Sequence, residues 1–182
     1  MLRAYLLEDL EELYSLQRAL EPLAIRCACR KATPEDLAAM QAVVDRMAEY
    51  IARGITEQEA ADLDLRFHGL IYRASRHQRL LRIWATLRHQ IYVFLLSRNV
   101  ADPDFRDWAV RGHQEILDAI RAGDEERGVR NHGGALGARL CSGAPQLRAW
   151  PIVALCKDAG SVAGGDARSI YARITSLGGG MR

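Results

Sequence analysis

Residues 63–75 read LDLRFHGLIYRAS, a stretch whose apolar positions recur with the period of an α-helix. At about 100° per residue, one side of this helix is apolar and the opposite side is polar. The apolar stripe comprises Leu63, Phe67, Leu70, Ile71 and Ala74, and the polar side comprises Asp62, Arg66, Gly69 and Arg73. Asp64 and His68 flank the apolar stripe, and their spacing of four residues lets the side chains approach each other. The simplest interpretation of this pair alone is a partly exposed ion pair.

The same helical period continues outward in both directions through residue 140. Thr33 before Pro34 and Thr56 before Glu59 are typical helix starts. The expected helices run over about 7–30, 34–54, 56–75, 80–98 and 103–121, with a shorter sixth helix after the break at 122–126. No segment alternates with the period of a strand. The pattern predicts an all-α, antiparallel bundle of about six helices over residues 1–141.

Residues 142–182 differ in character from the helical body. They hold seven of the 15 glycines, including runs at 164–165 and 178–180, and no apolar period persists there. We expect this second region to be an irregular or disordered tail.

Length, charge and motifs exclude several classes of protein. The 182 residues suit one domain, and the net charge of +2 gives the helical body no basic platform for nucleic acid. The longest central apolar run, six residues from Ile91, is too short to span a membrane, and the N-terminus lacks a signal-peptide pattern. We therefore expect a soluble cytoplasmic protein. The four cysteines form no zinc-finger spacing, and the absence of nucleophile-elbow, dinucleotide and phosphate-loop motifs argues against an enzyme.

Two further histidines lie on the apolar faces of the later helices. His113 projects from the middle of a stripe formed by Ala109, Ile116, Leu117 and Ile120, and His132 flanks a stripe that contains Val129. A buried imidazole needs a hydrogen-bond partner or a metal. Three helices thus direct imidazole and carboxylate donors toward one interior, a set that suits a divalent transition metal. The alternative is a group of separately satisfied histidines.

The order of these motifs resembles a known family. ELYSLQRALEPLAIRCACRKATPEDLAAM, LDLRFHGLIYRAS, LLRIWATLRHQIYVFLLSRN and GHQEILDAIRAGDEE are similar to the C-terminal effector-binding domain of FadR-type regulators in the GntR family, over roughly residues 7–132. The resemblance implies a central cavity that holds a divalent metal (zinc, nickel or manganese) and a small carboxylic acid effector. It also implies a homodimer. By position, Asp64, His68 and His113 match the family's first three metal ligands, and His132 is the candidate for the fourth.

The chain departs from the family pattern at several positions. His132 comes about one helical turn early and is followed by Gly133 and Gly134, each of which weakens a helix by about 1 kcal/mol. Gln17 replaces the arginine that often binds the effector carboxylate, while Arg18 keeps the next position. The candidate effector-binding residues are Gln17, Arg18 and Arg88. Arg76-His77 stands where the family usually has a glycine-asparagine turn.

Family members carry an N-terminal winged helix-turn-helix domain, but only a few residues precede Glu8 here. We therefore expect no direct binding to operator DNA by this chain as given. The leading hypothesis is the metal- and acid-sensing domain of a transcriptional regulator. The alternatives are a structural or dimerising helical module with a non-functional cavity, and a metal-dependent enzyme, for which no persuasive general base is present.

Overall fold

Six α-helices form the part of the chain described by this computed structural model. It covers the backbone of residues 7–96, 100 and 103–141, and the side chains of residues 12–96, 100 and 105–133. The helices are α1 (Leu7–Lys31), α2 (Pro34–Arg53), α3 (Glu57–Ala74), α4 (Gln78–Leu95), α5 (Pro103–Ala122) and α6 (Glu125–Cys141). No strand occurs within these ranges, so the predicted all-α class is confirmed. The predicted tail, 142–182, lies outside the described residues.

The predicted starts of α2 and α3 are confirmed. The Thr33 hydroxyl accepts a hydrogen bond from the Asp36 N–H, and the Asp36 carboxylate accepts one from the Thr33 N–H. Thr56 and Glu59 make the same reciprocal pair at the start of α3. Such capping satisfies N–H groups that the first helical turn leaves without partners.

The turn between α3 and α4 differs from its prediction. His77 is the N-cap of α4, where its side chain accepts a hydrogen bond from the Leu80 N–H, so the helix begins two residues before the expected Leu80. Arg76 has a φ of +52°, a left-handed conformation that favours glycine. Its guanidinium lies 2.5 Å from Asp36 of α2, a contact that holds the turn against the body.

The core is assembled around α1 and α3. Helix α1 packs against α3, α4, α5 and α6, and α3 packs against α1, α2 and α4. The largest fully buried side chains come from several helices and include Ile25, Met40, Phe67, Tyr72, Phe105 and Leu117. This arrangement brings the buried face of α3 close to α1 and α5. None of the described helices is long and apolar enough to cross a membrane.

Candidate metal and effector site

Helix α3 places Asp64 and His68 in the interior of the bundle. Asp64 is 1% exposed and His68 is fully buried, so the partly exposed ion pair considered from the sequence is not what forms. Both residues lie on the side of α3 that also carries Phe67 and Ile71, which are completely buried. A carboxylate and an imidazole in such surroundings require charged or polar partners, because burying an isolated charge is costly.

Helix α5 brings His113 to the same point. Its Nδ1 donates a hydrogen bond to the carbonyl of Ala109, one turn back, at 2.5 Å. That bond assigns the proton to Nδ1 and the lone pair to Nε2, which lies 3.4 Å from Asp64 Oδ1. The Phe67 ring meets the His113 ring edge to face, with centroids 4.7 Å apart. The imidazole is therefore held in one orientation by a hydrogen bond and by packing.

Asp64, His68 and His113 together form a donor set. One ligand atom from each lies within 4.8 Å of the other two, and all three residues are buried. Zinc binds nitrogen and oxygen at roughly 2.0–2.2 Å, so two donors on one ion are at most about 4.4 Å apart. Small side-chain rotations would bring the three donors into that range. Two imidazoles and a carboxylate thus fit a divalent transition metal in chemistry and in spacing.

A carboxylate that the sequence analysis missed stands beside this set. Glu21, on α1, is fully buried, and one of its oxygens pairs with His68 Nδ1. Its other oxygen, Oε2, lies 3.1 Å from His132 Nε2 and accepts a hydrogen bond from the Gln17 amide at 3.0 Å. Glu21 therefore joins α1, α3 and α6 through one buried carboxylate.

The charge of Glu21 is favoured by these histidines. Burial alone would raise the pKa of Glu21, but the neighbouring His68 and His132 outweigh that effect and hold the pKa well below its usual value. An ionised Glu21 accepts the Nδ1 proton of His68. The Nε2 lone pair of His68 is then the one that could serve a metal, as with His113.

His132 takes a different place from the three clustered residues. It is 2% exposed, and its ring centroid lies 6.2 Å from that of His68. Among the described residues, the set whose donors lie close together contains Asp64, His68 and His113, while His132 Nε2 faces Glu21. The resemblance implies a one-turn shift of His132 relative to the family's fourth ligand, and the assignment of His132 as a metal ligand stays a prediction.

The three predicted effector-binding residues do not lie together. Gln17 is 2% exposed and is bonded to Glu21 beside the donor set. Arg18 is exposed on α1, and Arg88 lines an outer cleft between α2, α3 and α4. Of the three, the structure brings only Gln17 to the buried site.

Tyr72 is a second polar residue that sequence reasoning missed. It lies one turn beyond His68 on α3, is 1% exposed, and stacks on Trp84 with ring centroids 4.8 Å apart. Its buried hydroxyl has no hydrogen-bond partner among the described residues. Burial raises the pKa of this hydroxyl, and the nearby Glu21 carboxylate raises it further. Tyr72 lies outside the apolar stripe of α3, and a single helical tyrosine gives no sequence signal of a buried polar site, because the same residue type also suits an ordinary core aromatic.

The fold and the buried donor set together define an all-helical domain with the features of a small-molecule sensor. The chain belongs to the FCD domain family, whose model matches residues 12–131. FCD domains are the effector-binding, non-enzymatic domains of GntR-family regulators, so the resemblance inferred from the sequence is confirmed. No curated protein sequence matches the chain significantly.

Two solved structures share the fold. E. coli McbR/YncC is similar over 85% of this chain and 67% of its own, with 18% identity and a TM-score of 0.64. Streptococcus agalactiae GntR is similar over 70% of this chain and 56% of its own, with 17% identity and a TM-score of 0.59. The chain therefore spans between about half and two thirds of the length of these relatives.

Proposed function

We propose that this domain senses a small carboxylic acid together with one divalent transition metal held by Asp64, His68 and His113. The observation that carries the proposal is the convergence of three buried donors from two helices within 4.8 Å of one another. Zinc, nickel and manganese are the candidate metals, because imidazole and carboxylate ligands suit all three. Bound there, the metal would supply a Lewis-acidic centre that attracts a carboxylate or hydroxyl oxygen.

Glu21 has a supporting role in this proposal. Metal-ligating histidines usually donate their second ring N–H to a carboxylate or carbonyl, which fixes the ring and strengthens the ligand. His68 has the Glu21 carboxylate for this purpose, and His113 has the Ala109 carbonyl. His132 remains a proposed fourth ligand, which would have to turn from Glu21 toward the donor set.

Sensing would operate by thermodynamic linkage. Metal and acid bind more tightly to the helix arrangement that assembles the donors, and they shift the population toward it. The donors and their partners come from α1, α3, α5 and α6, so binding would bias the relative positions of four helices. In a cytoplasmic regulator, a dimer would transmit this change in the relative positions of the helices to DNA-binding domains.

Titration calorimetry on metal-stripped protein tests the metal site. We expect one equivalent of zinc, nickel or manganese to bind, and binding to be lost in a His68→Ala, His113→Ala double variant. His89→Ala is the matched control, because His89 is an exposed histidine on the outer side of α4. The proposal fails if the wild type binds no metal, or if the double variant binds as well as the control.

A thermal-shift screen tests the effector class. A panel of small mono- and dicarboxylic acids is added to metal-loaded and to metal-free protein. We expect at least one acid to raise the unfolding temperature of the loaded protein alone, since its oxygen would bind at the metal. Equal shifts with and without metal would contradict a metal-assisted site.

We further propose a homodimer. Leu16 and Leu23, seven residues apart on α1, are 48% and 42% exposed, and Ile83 on α4 is 40% exposed. Seven residues are about two helical turns, so Leu16 and Leu23 share one side of α1. Large apolar side chains at this exposure, on two helices that contact each other, support a self-complementary interface.

A further inference from the structure

A cleft on the outer side of the bundle is separate from the buried donor set. It lies between α2, α3 and α4 and has a volume of about 890 Å³. On α3 its lining includes Asp62, Arg66, Gly69 and Arg73, the polar side of the helix in the sequence projection. Asp64 and His68 lie on the other side of the same helix. The cleft and the donor set therefore occupy opposite faces of α3.

The cleft is rich in positive charge that no carboxylate of the described residues pairs with. Arg46, Arg66, Arg73 and Arg88 line it, together with His89 and a single acid, Asp62. None of the four arginines takes part in an ion pair or a side-chain hydrogen bond within the described residues. By contrast, the arginines at 26, 30, 53, 76, 111 and 121 each pair with a carboxylate.

The floor of the cleft is apolar and is opened by small residues. Gly69 allows the Trp84 indole to approach, because a Cβ at this position would lie 3.1 Å from Trp84 Nε1. Ala39, Ala42 and Ala85 also line the cleft and leave space that longer side chains would fill. Leu81 and Tyr92, both half-buried, add further apolar surface to the lining.

We propose that this cleft is a second ligand site, which binds a small organic anion with an aromatic or other apolar body. The volume lies within the usual range of about 300–1,000 Å³ for small-molecule pockets. Guanidinium groups bind carboxylate, phosphate and sulfonate oxygens in a bidentate manner, and they also stack on aromatic rings. An apolar floor with a rim of unpaired guanidiniums matches a ligand that is apolar in its body and negative at its edge.

Binding of anilinonaphthalene sulfonate tests the proposal, because this fluorescent probe combines an aromatic body with a negative charge. We expect one saturable site per chain, quenching of Trp84 fluorescence, and an affinity that falls with salt. An Arg66→Gln, Arg73→Gln double variant should bind at least about tenfold more weakly. The control is Arg79→Gln with Arg82→Gln, which removes the same charge from exposed arginines outside the cleft.

Two further variants distinguish probe binding in the cleft from probe binding at the buried donor set. Ala85→Phe fills the cleft at an exposed position and should weaken probe binding, while His113→Ala removes a donor of the buried set and should leave it unchanged. Circular dichroism and thermal unfolding establish that each variant is folded. Equal probe affinity in the Arg66, Arg73 variant and its control would overturn the proposal. So would sedimentation showing that a second copy of the chain closes the cleft and excludes the probe.

Discussion

At the scale of single residues, the site depends on which ring nitrogen of each histidine is already engaged. His113 donates Nδ1–H to Ala109 within its own helix, a contact that the sequence interval of four residues allows. His68 instead pairs with Glu21, 47 residues away in the chain. Helical periodicity placed His113 on an apolar face but Asp64 and His68 only beside one, so the three could be expected to face one interior, while the complete burial of the α3 pair was not predicted. The role of Glu21 could not be predicted, because it depends on how α1 packs against α3.

Replacing Glu21 tests its role in orienting His68. In Glu21→Gln the side chain keeps its shape but loses its charge. Its hydrogen bond with His68 Nδ1 therefore becomes weaker, and the His68 ring is less firmly oriented. We expect metal affinity to fall by about 10- to 100-fold, as is usual when the partner of a ligating histidine is changed. Calorimetry with zinc measures the change, and Glu115→Gln, at an exposed acid of α5, serves as the control. Unchanged affinity in Glu21→Gln would remove Glu21 from the site.

Replacing Tyr72 tests whether its buried hydroxyl stabilises the metal-free protein or instead contributes to binding a ligand. A buried polar group without a partner costs about 1–3 kcal/mol. We therefore expect Tyr72→Phe, which keeps the ring stacked on Trp84, to raise the free energy of unfolding of metal-free protein by about 1 kcal/mol. Urea unfolding of the wild type and the variant measures this change in the free energy of unfolding. A loss of stability would show that the hydroxyl makes a stabilising contact in the free protein.

At the scale of helices, the starts of α2 and α3 were the most predictable features. Thr33 with Pro34, and Thr56 with Glu59, are local signals whose hydrogen bonds close within four residues. The start of α4 was predicted two residues late, because a histidine N-cap is not a usual start signal. The positive φ of Arg76 explains why glycine is usual at this turn in the family.

Two of the four glycines of α6, Gly128 and Gly133, allow the effect of helix propensity to be separated from the effect of packing. Alanine is favoured over glycine by about 1 kcal/mol in a helix interior. At Gly133 no atom of the described residues lies within 4 Å of an added Cβ, so Gly133→Ala should stabilise the protein by about 1 kcal/mol. At Gly128 an added Cβ would lie 2.7 Å from the buried Ile25 Cγ2, and overpacking costs about 1–3 kcal/mol. Gly128→Ala should therefore be neutral or destabilising in urea unfolding.

Both substitutions gain the same helix propensity. The difference between their effects on the free energy of unfolding therefore measures the cost of the close contact between α6 and α1. If Gly128→Ala stabilised the protein as much as Gly133→Ala, the close contact between these helices would be contradicted. This contact matters for the site, since α6 carries His132 to Glu21 of α1.

At the scale of the whole molecule, the all-α class followed from the sequence alone, but the relative positions of the helices did not. The convergence of α1, α3, α5 and α6 on one point depends on contacts between residues far apart in the chain. Arg88 illustrates the difference. It is a predicted effector-binding residue, and its position in the outer cleft rather than beside the donor set could not be derived from the sequence.

The proposed dimer belongs to this scale. Leu16→Glu with Leu23→Glu would place two charges on the exposed side of α1, where an apolar interface would have to bury them. We expect sedimentation to show dimers for the wild type and mainly monomers for this double variant. Glu12→Gln, at an exposed position of the same helix, should remain dimeric. A wild-type protein that is monomeric at high concentration would contradict the interface.

X-ray absorption at the zinc edge of protein loaded with one equivalent of zinc is the most direct test of the donor set. We expect only nitrogen and oxygen neighbours at about 2.0–2.1 Å, with the multiple scattering of at least two imidazoles. The imidazole signal should fall by one ring in His113→Ala. Sulfur neighbours at about 2.3 Å, or a spectrum unchanged by His113→Ala, would contradict a metal held by Asp64, His68 and His113.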